Sequence, residues 1–350
     1  MMVKQPQLAN STPSVNNQGG AALVVAMLIF AVATALIVAL YDDYTLFSRR
    51  VSNSLMAEQA HAYLRGAEDL ATLVLRQDQS QDRSMGRERD DLTELWAQEA
   101  TPYGLDEGGW LTGQVQDLQG LFNLNTLLPR ASSSGGQQTG QAASYTPAQR
   151  QFIRLLQALA EPQLDRYQAI QVTEAIGDWL DGDQLAAANG AEDDHYYGLT
   201  PAYRAANRKM ASASELRAVA HVTSELYLAL KDYITVWPQS GGKLNIHTAP
   251  PLLLMSLAGD DELEPLTEAE VESLLQIRSE VGFKDLGDFL SQPVFADRQI
   301  IDLRSQLGES SDYFLLSAQV QVADRMSRLY SVLHREERRI GSLARSAGQL

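Results

Sequence analysis

The sequence predicts an α+β fold: an N-terminal long helix able to cross a membrane, a discontinuous antiparallel sheet, and a large inserted all-α region. Three observations predict it. Residues 21–41 (AALVVAMLIFAVATALIVALY) form an uncharged apolar run without Pro or Gly. Period-two alternation, the mark of half-buried strands, occurs in two separated places, within 108–127 and within 313–333. Between them the chain keeps helical spacing, punctuated by N-terminal capping boxes. At 350 residues and 45% hydrophobic, the chain can build two or three packed units after the apolar run.

Residues 1–20 are polar and rich in Asn, Gln, Ser and Pro, and read as a leader without a fold of its own. The run after them has the ~20 residues that a ~30 Å hydrocarbon core requires of a helix. Three readings compete. A cleaved secretory signal would use Ala33-Thr34-Ala35 as a weak site, but the run stays apolar beyond it. A plain single-span anchor is the second. The third is an N-terminus similar to that of type IV pilins, in which a polar leader is cut after Gly and the mature chain begins with the hydrophobic helix. Gln18-Gly19-Gly20-Ala21-Ala22-Leu23 suits it, with the cut between Gly20 and Ala21. Lys4 before the span and Arg49-Arg50 after it leave the positive-inside rule almost mute. A cytoplasmic N-terminus is expected because a short polar leader is easily left there.

Residues 42–127 read as the first part of an α/β domain. Tyr44, Phe47, Val51, Leu55, Tyr63, Leu70, Leu73 and Val74 continue the helix over 44–77, and 78–91 reads as a charged loop. Residues 108–127 read as strand, and 131–145 as a Gly/Ser/Gln linker. An inserted helical domain spans 146–236. Thr146-Pro147-Ala148-Gln149 opens it with an N-cap, a Pro at the first helical position and a capping-box Gln. Helices are expected over 164–180 and 223–230, with a further start at Ser212-Ala213-Ser214-Glu215 and a short helical turn at Thr200-Pro201. A second block, 243–306, resembles a helix-hairpin-helix element with helices over 250–258, 268–279, 285–290 and 297–306. Residues 310–336 read as a hairpin turning at Asp324-Arg325, and 337–350 as a tail. A lone hairpin is marginal, so it is expected to pair with the 110–124 segment and pack on the long helix.

Composition excludes some functions. The net charge of −16 argues against nucleic acid, because phosphate binding needs a basic footprint. The absence of cysteine excludes disulfides, thiolate metal sites and Cys nucleophiles. One stretch carries metal chemistry. In DWLDGDQLAAANGAEDD (178–194), Asp178, Asp181, Asp183, Glu192, Asp193 and Asp194 crowd between Trp179 and Tyr196-Tyr197. Such crowding requires solvent or a cation, and calcium takes six to eight oxygens. Counted from Asp181 the loop fails the EF-hand pattern at Leu185 and Ala186, so another calcium geometry is expected. Only His195 offers nitrogen, which suits zinc poorly. A solvated acidic loop and paired catalytic carboxylates are the alternatives, the latter without an accompanying nucleophile or base. His61, His221, His247 and His334 read as surface or packed residues. The hairpin 258–264 of the second block is acidic, which favours packing or protein contact over DNA. No P-loop, GxSxG or HExxH motif occurs.

Several segments resemble the minor pseudopilin K family of type II secretion systems. They are QGGAALVVAMLIF at the start, LQGLFNLNTL (118–127), IGDWLDGDQLAAANGAEDDHYY (176–197), ANRKMASASELRAV (206–219), KLNIHTAP (243–250) and SDYFLLSAQVQVADRMSRLYSVL (311–333). The resemblance implies a pilin-like α/β domain with a helical insert and a structural calcium site of one or two ions in 178–194. It implies cleavage and N-methylation by prepilin peptidase, anchorage in the inner membrane with the bulk periplasmic, and no enzymatic activity. It also implies assembly with minor pseudopilins I and J, and through them H and the major pseudopilin G, at the pseudopilus tip, with exported proteins as a further contact. Val25, the fifth residue from Ala21, stands where pilins usually carry Glu; protein K members also lack that Glu. His221 stands where Gly is common in the family, and His247 where Asn is. The runner-up from another class is a membrane-anchored DNA-handling protein using the 243–290 element.

Overall fold

The computed structural model describes residues 19–106, 108–129, 145–336 and 339–348. Most of the leader and nearly all of the 131–145 linker lie outside them. Residues up to 59 and from 60 onward form two compact units.

In the first unit, helix α1 (Gly19–Met85) begins and runs without a break. No charge falls within 21–41, and its large apolar side chains are exposed, Phe30 at 74%. This is the one helix among the described residues long and apolar enough to cross a membrane.

In the second unit α1 continues to Met85, through residues expected as a loop. Nothing in 78–85 breaks a helix, and α1 ends just before Gly86, whose φ of 66° suits a C-terminal cap. Ala60, Leu64, Ala71 and Leu75 of this stretch are buried. The sheet is antiparallel, in the order β1 (Tyr103–Gly104), β2 (Gly109–Asp117), β7 (Tyr313–Val322), β8 (Arg325–Arg335) and β9 (Ile340–Ser346). The hairpin therefore pairs with the distant strand β2, from Gly109↔Val322 to Asp117↔Phe314. Gly109 must be Gly: its φ is 115°, and a Cβ there would lie 2.0 Å from Gln321 O. Phe314, Leu316, Ala318, Val320 and Val322 of β7 are buried, alternating with half-buried neighbours. Arg345 of β9 pairs with Glu68 of α1 at 2.7 Å, and Arg335 of β8 with Asp78 at 3.2 Å.

Four segments depart from the pattern expected of them. The hairpin turns at Ala323-Asp324, one residue early, because Val322 pairs with Arg325; Ala323 takes φ 54°. The expected tail adds strand β9, paired to β8. The expected 110–124 strand stops at Asp117, whose carboxylate accepts from Gln119 N at 2.7 Å and turns the chain. No helical turn forms at Thr200-Pro201, where Tyr203 instead ties the segment to Tyr196 and Ala218.

The inserted region carries β3 (Phe122–Asn123), α2 (Pro147–Gln157), α3 (Arg166–Leu180), α4 (Asp193–Tyr197), α5 (Ser224–Leu230) and β4 (Ile234–Thr235). Then come β5 (Leu244–Asn245), α6 (Pro251–Met255), α7 (Glu268–Glu280), α8 (Leu286–Leu290), α9 (Ile301–Gln306) and β6 (Leu307–Gly308). Capping boxes form at Thr146, Asp165, Ser212 and Thr267; the one at Ser212 starts a 3₁₀ helix, Ala213–Ala218. The two helical blocks share a single core, in which Phe152, Leu156 and Ile176 join Leu254, Leu274 and Phe283.

Two buried polar anchors lock this region. Arg154, 2% exposed, donates to the carbonyls of Ser256 (2.7 Å), Gly259 (3.0 Å) and Glu262 (2.8 Å). Asp260 of the same acidic hairpin caps α9 through Asp302 N and Leu303 N, both at 2.9 Å. The hairpin thus turns its carbonyls and an acidic group inward. Asn245 is the second anchor: its Nδ2 donates to Asp90 O, Asp117 Oδ2 and Ser311 Oγ at 3.0–3.1 Å. Asp117 Oδ2 also accepts from Thr248 and Ser311. This node ties sheet to insert and lies within the KLNIHTAP segment.

Candidate metal centre

Helix α3 begins on the Asp165 box and ends at Leu180, with Asp181 as an extended C-cap. The end of α3 is buried: Trp179 packs edge-on to Tyr196 of α4, ring centroids 5.3 Å apart. This contact closes the loop 181–192 on itself. Asp178, 2% exposed, accepts from Ala187 N at 3.1–3.2 Å. Gly190 must be bare, since a Cβ there would lie 1.9 Å from Asp178 Oδ2. Asp181 and Asp183 cap successive turns, accepting from Asp183 N (3.3 Å) and Leu185 N (2.8 Å).

Oxygens of Asp181, Asp183 and Glu192 lie within 4.8 Å of one another. Both Glu192 oxygens are buried without a hydrogen-bond partner. Burial, then the charges of Asp178, Asp181, Asp183 and Asp193, pushes its carboxyl up to about 7. Burial pushes Asp178 up to about 6, and Asp181 upward as well. Carboxylates so placed gain from a cation. Asn207, unremarked as a ligand by the sequence reading, belongs to the same surroundings. It takes φ 46°, donates from Nδ2 to Asp183 O at 2.9 Å, and leaves Oδ1 buried without a partner. Its position far along the chain from the acidic run hid it.

The remaining expected ligands lie outside the group of three. Asp193 accepts from Ala205 N (3.1 Å) and Gln184 Nε2 (3.3 Å), with Arg204 Nε at 3.5 Å. Asp194 is exposed on the first turn of α4. Asp178 stands behind the group, holding the loop backbone. The donors are all oxygen, with Asp181 half-buried and Asp183 exposed, and the orphaned, buried oxygens of Glu192 fit a hard cation such as calcium better than zinc. His247 is packed, 3% exposed, and burial holds it neutral by lowering it to about 4. His221 takes φ 64°, a backbone that glycine adopts at no cost.

A single apolar N-terminal helix, a sheet completed from both ends of the chain and a helical insert with an acidic loop define a membrane-anchored α+β protein of the pilin-like kind. Two family models, both described as Type II secretion system (T2SS), protein K, match residues 120–239 and 244–310. The chain belongs to the type II secretion system protein K family, the resemblance read from its sequence. It is 34% identical to Type II secretion system protein K of Aeromonas hydrophila, over 92% of this chain and 95% of that protein. It is 32% identical to the protein of the same name from Pseudomonas aeruginosa, over 95% and 93%. Among solved structures it is similar to a chain of the GspK-GspI-GspJ complex from enterotoxigenic Escherichia coli. There the TM-score is 0.71 and the identity 26%, over 86% of this chain and 100% of that one.

Proposed function

We propose that this chain is a structural, non-enzymatic minor pseudopilin at the tip of the type II secretion pseudopilus. It assembles with minor pseudopilins I and J, and through them with H and the major pseudopilin G, to initiate or cap the pseudopilus and support export across the outer membrane. The observation that carries this reading is the similarity, over most of both chains, to a structure of the GspK-GspI-GspJ complex. Val25 supports it: a subunit with no neighbour above it needs no carboxylate in the bilayer to meet that neighbour's N-terminus. The bulk of the 146–306 insert would obstruct a further subunit, and is a surface for exported proteins. Asp181, Asp183 and Glu192, backed by Asp178 and Asn207, hold Ca²⁺ and brace the insert.

Co-purification tests the assembly. The full-length chain in detergent should bring down tagged minor pseudopilins I and J together, and failure to bind either overturns the reading. Salt-sensitive DNA binding would instead favour the nucleic-acid alternative. Before assembly the chain sits in the inner membrane with its bulk periplasmic, and prepilin peptidase cuts it between Gly20 and Ala21 and methylates the new end. Mass spectrometry of the mature N-terminus should find methylated Ala21; an intact leader in cells with active peptidase overturns this step.

A further inference from the structure

A second set of carboxylates converges where α1 meets the segment after it. Asp78 near the end of α1, Asp90, and Glu94 bring oxygens within 4.8 Å of one another. These residues are remote in sequence from the loop 181–192. Asp90 is 1% exposed and the Glu94 side chain 8%. Glu94 Oε2 accepts from Trp96 Nε1 at 2.7 Å, whereas Oε1 is buried with no hydrogen-bond partner. One guanidinium reaches the group at hydrogen-bond distance among the described residues. Arg335 Nη2 meets both oxygens of Asp90 (2.7 and 2.5 Å), and Nη1 meets Asp78 Oδ2 (3.2 Å). Arg87 Nη2 stands 4.0 Å from Glu94 Oε1, and Arg87 Nε is bonded to Asp82 at 3.0 Å.

One buried carboxylate, Asp90, and two half-buried ones, Asp78 and Glu94, thus share one close guanidinium. Burial, with Asp78 and Asp90 adjacent, pushes Glu94 up to about 8, and burial pushes Asp90 up to about 6. Burying charge without compensation is costly, so the group takes either a further cation or a proton. The geometry favours the cation. Glu94 keeps one buried oxygen without a hydrogen bond in a group of three carboxylates, and oxygen-only donor sets suit hard cations such as Ca²⁺. We propose that Asp78, Asp90 and Glu94 form a divalent-cation site of the calcium type that clamps the end of α1 to the 90–97 segment beneath β8. The site rests on its own residues and not on the 181–192 loop.

Terbium, a luminescent calcium substitute, tests it in the full-length chain in detergent. The indole of Trp96, bonded to Glu94, is the built-in sensitiser. In an Asp181→Asn/Glu192→Gln background, one equivalent of Tb³⁺ should still bind. Its indole-excited emission should fall at least tenfold on adding Trp96→Phe, and binding should vanish on adding Glu94→Gln. A natively folded background chain that binds no Tb³⁺ overturns the proposal. So does emission indifferent to Glu94→Gln, or an infrared band of protonated Glu94 in the calcium-saturated chain. Should that background fail to fold, Glu94→Gln in the otherwise intact chain should lower the bound Ca²⁺ by one equivalent. An unchanged count overturns this site alone, while an intact chain that binds no Ca²⁺ overturns both sites.

Discussion

Replacing Arg154 by Met should destabilise the chain by on the order of 3–5 kcal/mol, measured by chemical denaturation of the full-length protein in detergent. The substitution nearly preserves volume but removes the guanidinium donors to the carbonyls of Ser256 and Glu262, and to that of Gly259, which keeps Glu262 N at 3.2 Å. Each carbonyl left without a partner costs about 1–3 kcal/mol. The site does not recover this by admitting water, because Arg154 lies inside the core shared by α2 and the 243–306 block. Burial already pushes its guanidinium down to about 10, a sign of how little solvent reaches it. Arg166→Met is the control. Its ion pair with Glu264 joins side chains 47% and 59% exposed, so its loss should change stability by less than about 1 kcal/mol. Equal effects of the two substitutions would contradict the anchoring role of Arg154.

Removing calcium should lower the thermal midpoint by on the order of 5–10 °C at pH 7.5 and by far less at pH 5. At free calcium one hundred times Kd, binding contributes about 2.7 kcal/mol, and about 2–4 °C accompanies each kcal/mol in a protein of this size. The pH dependence has a definite sign. Glu192 and Asp178, ordinarily near 4.5 and 3.8, are pushed up to about 7 and about 6 in the folded chain. Without metal, the folded chain therefore holds protons that the unfolded chain has released. These groups stabilise the metal-free fold at low pH and lose that contribution as pH rises to about 7. Calcium competes with the same protons, so its affinity climbs through the same window. Gly190→Ala should imitate metal removal, because its Cβ would strike the Asp178 carboxylate that holds the loop. A melting profile identical with EGTA and with excess Ca²⁺ at pH 7.5 would remove the loop from consideration as a calcium site.

Much of the fold was legible because its signals are local. An uncharged apolar run, a Thr-Pro-x-Gln box or an alternating strand carries its own evidence, and α1, α2, α3, α7 and β7 follow such signals closely. Other elements were hidden because their local chemistry is ambiguous. Residues 78–85 are charged but contain nothing that ends a helix, and the polar 337–350 stretch conceals a strand that only β8 can recruit. The site divided in the same way. The acidic run announced itself by density, but which acids meet depends on the path of the loop. That path brings Glu192 back to Asp181 and Asp183, and leaves Asp194 on the surface.

The sequence by itself determined the anchor, the order of the elements and the family, because periodicity, capping and motif text are properties of neighbouring residues. Tertiary structure alone decided the rest. It brought Asn207 beside the acidic loop and Asp78 beside Asp90 and Glu94. It also set Arg154 against the hairpin and Asn245 against Asp117. Each of these is a contact between side chains distant in the chain, fixed by burying polar atoms that must find partners, and no local pattern encodes which partner they find.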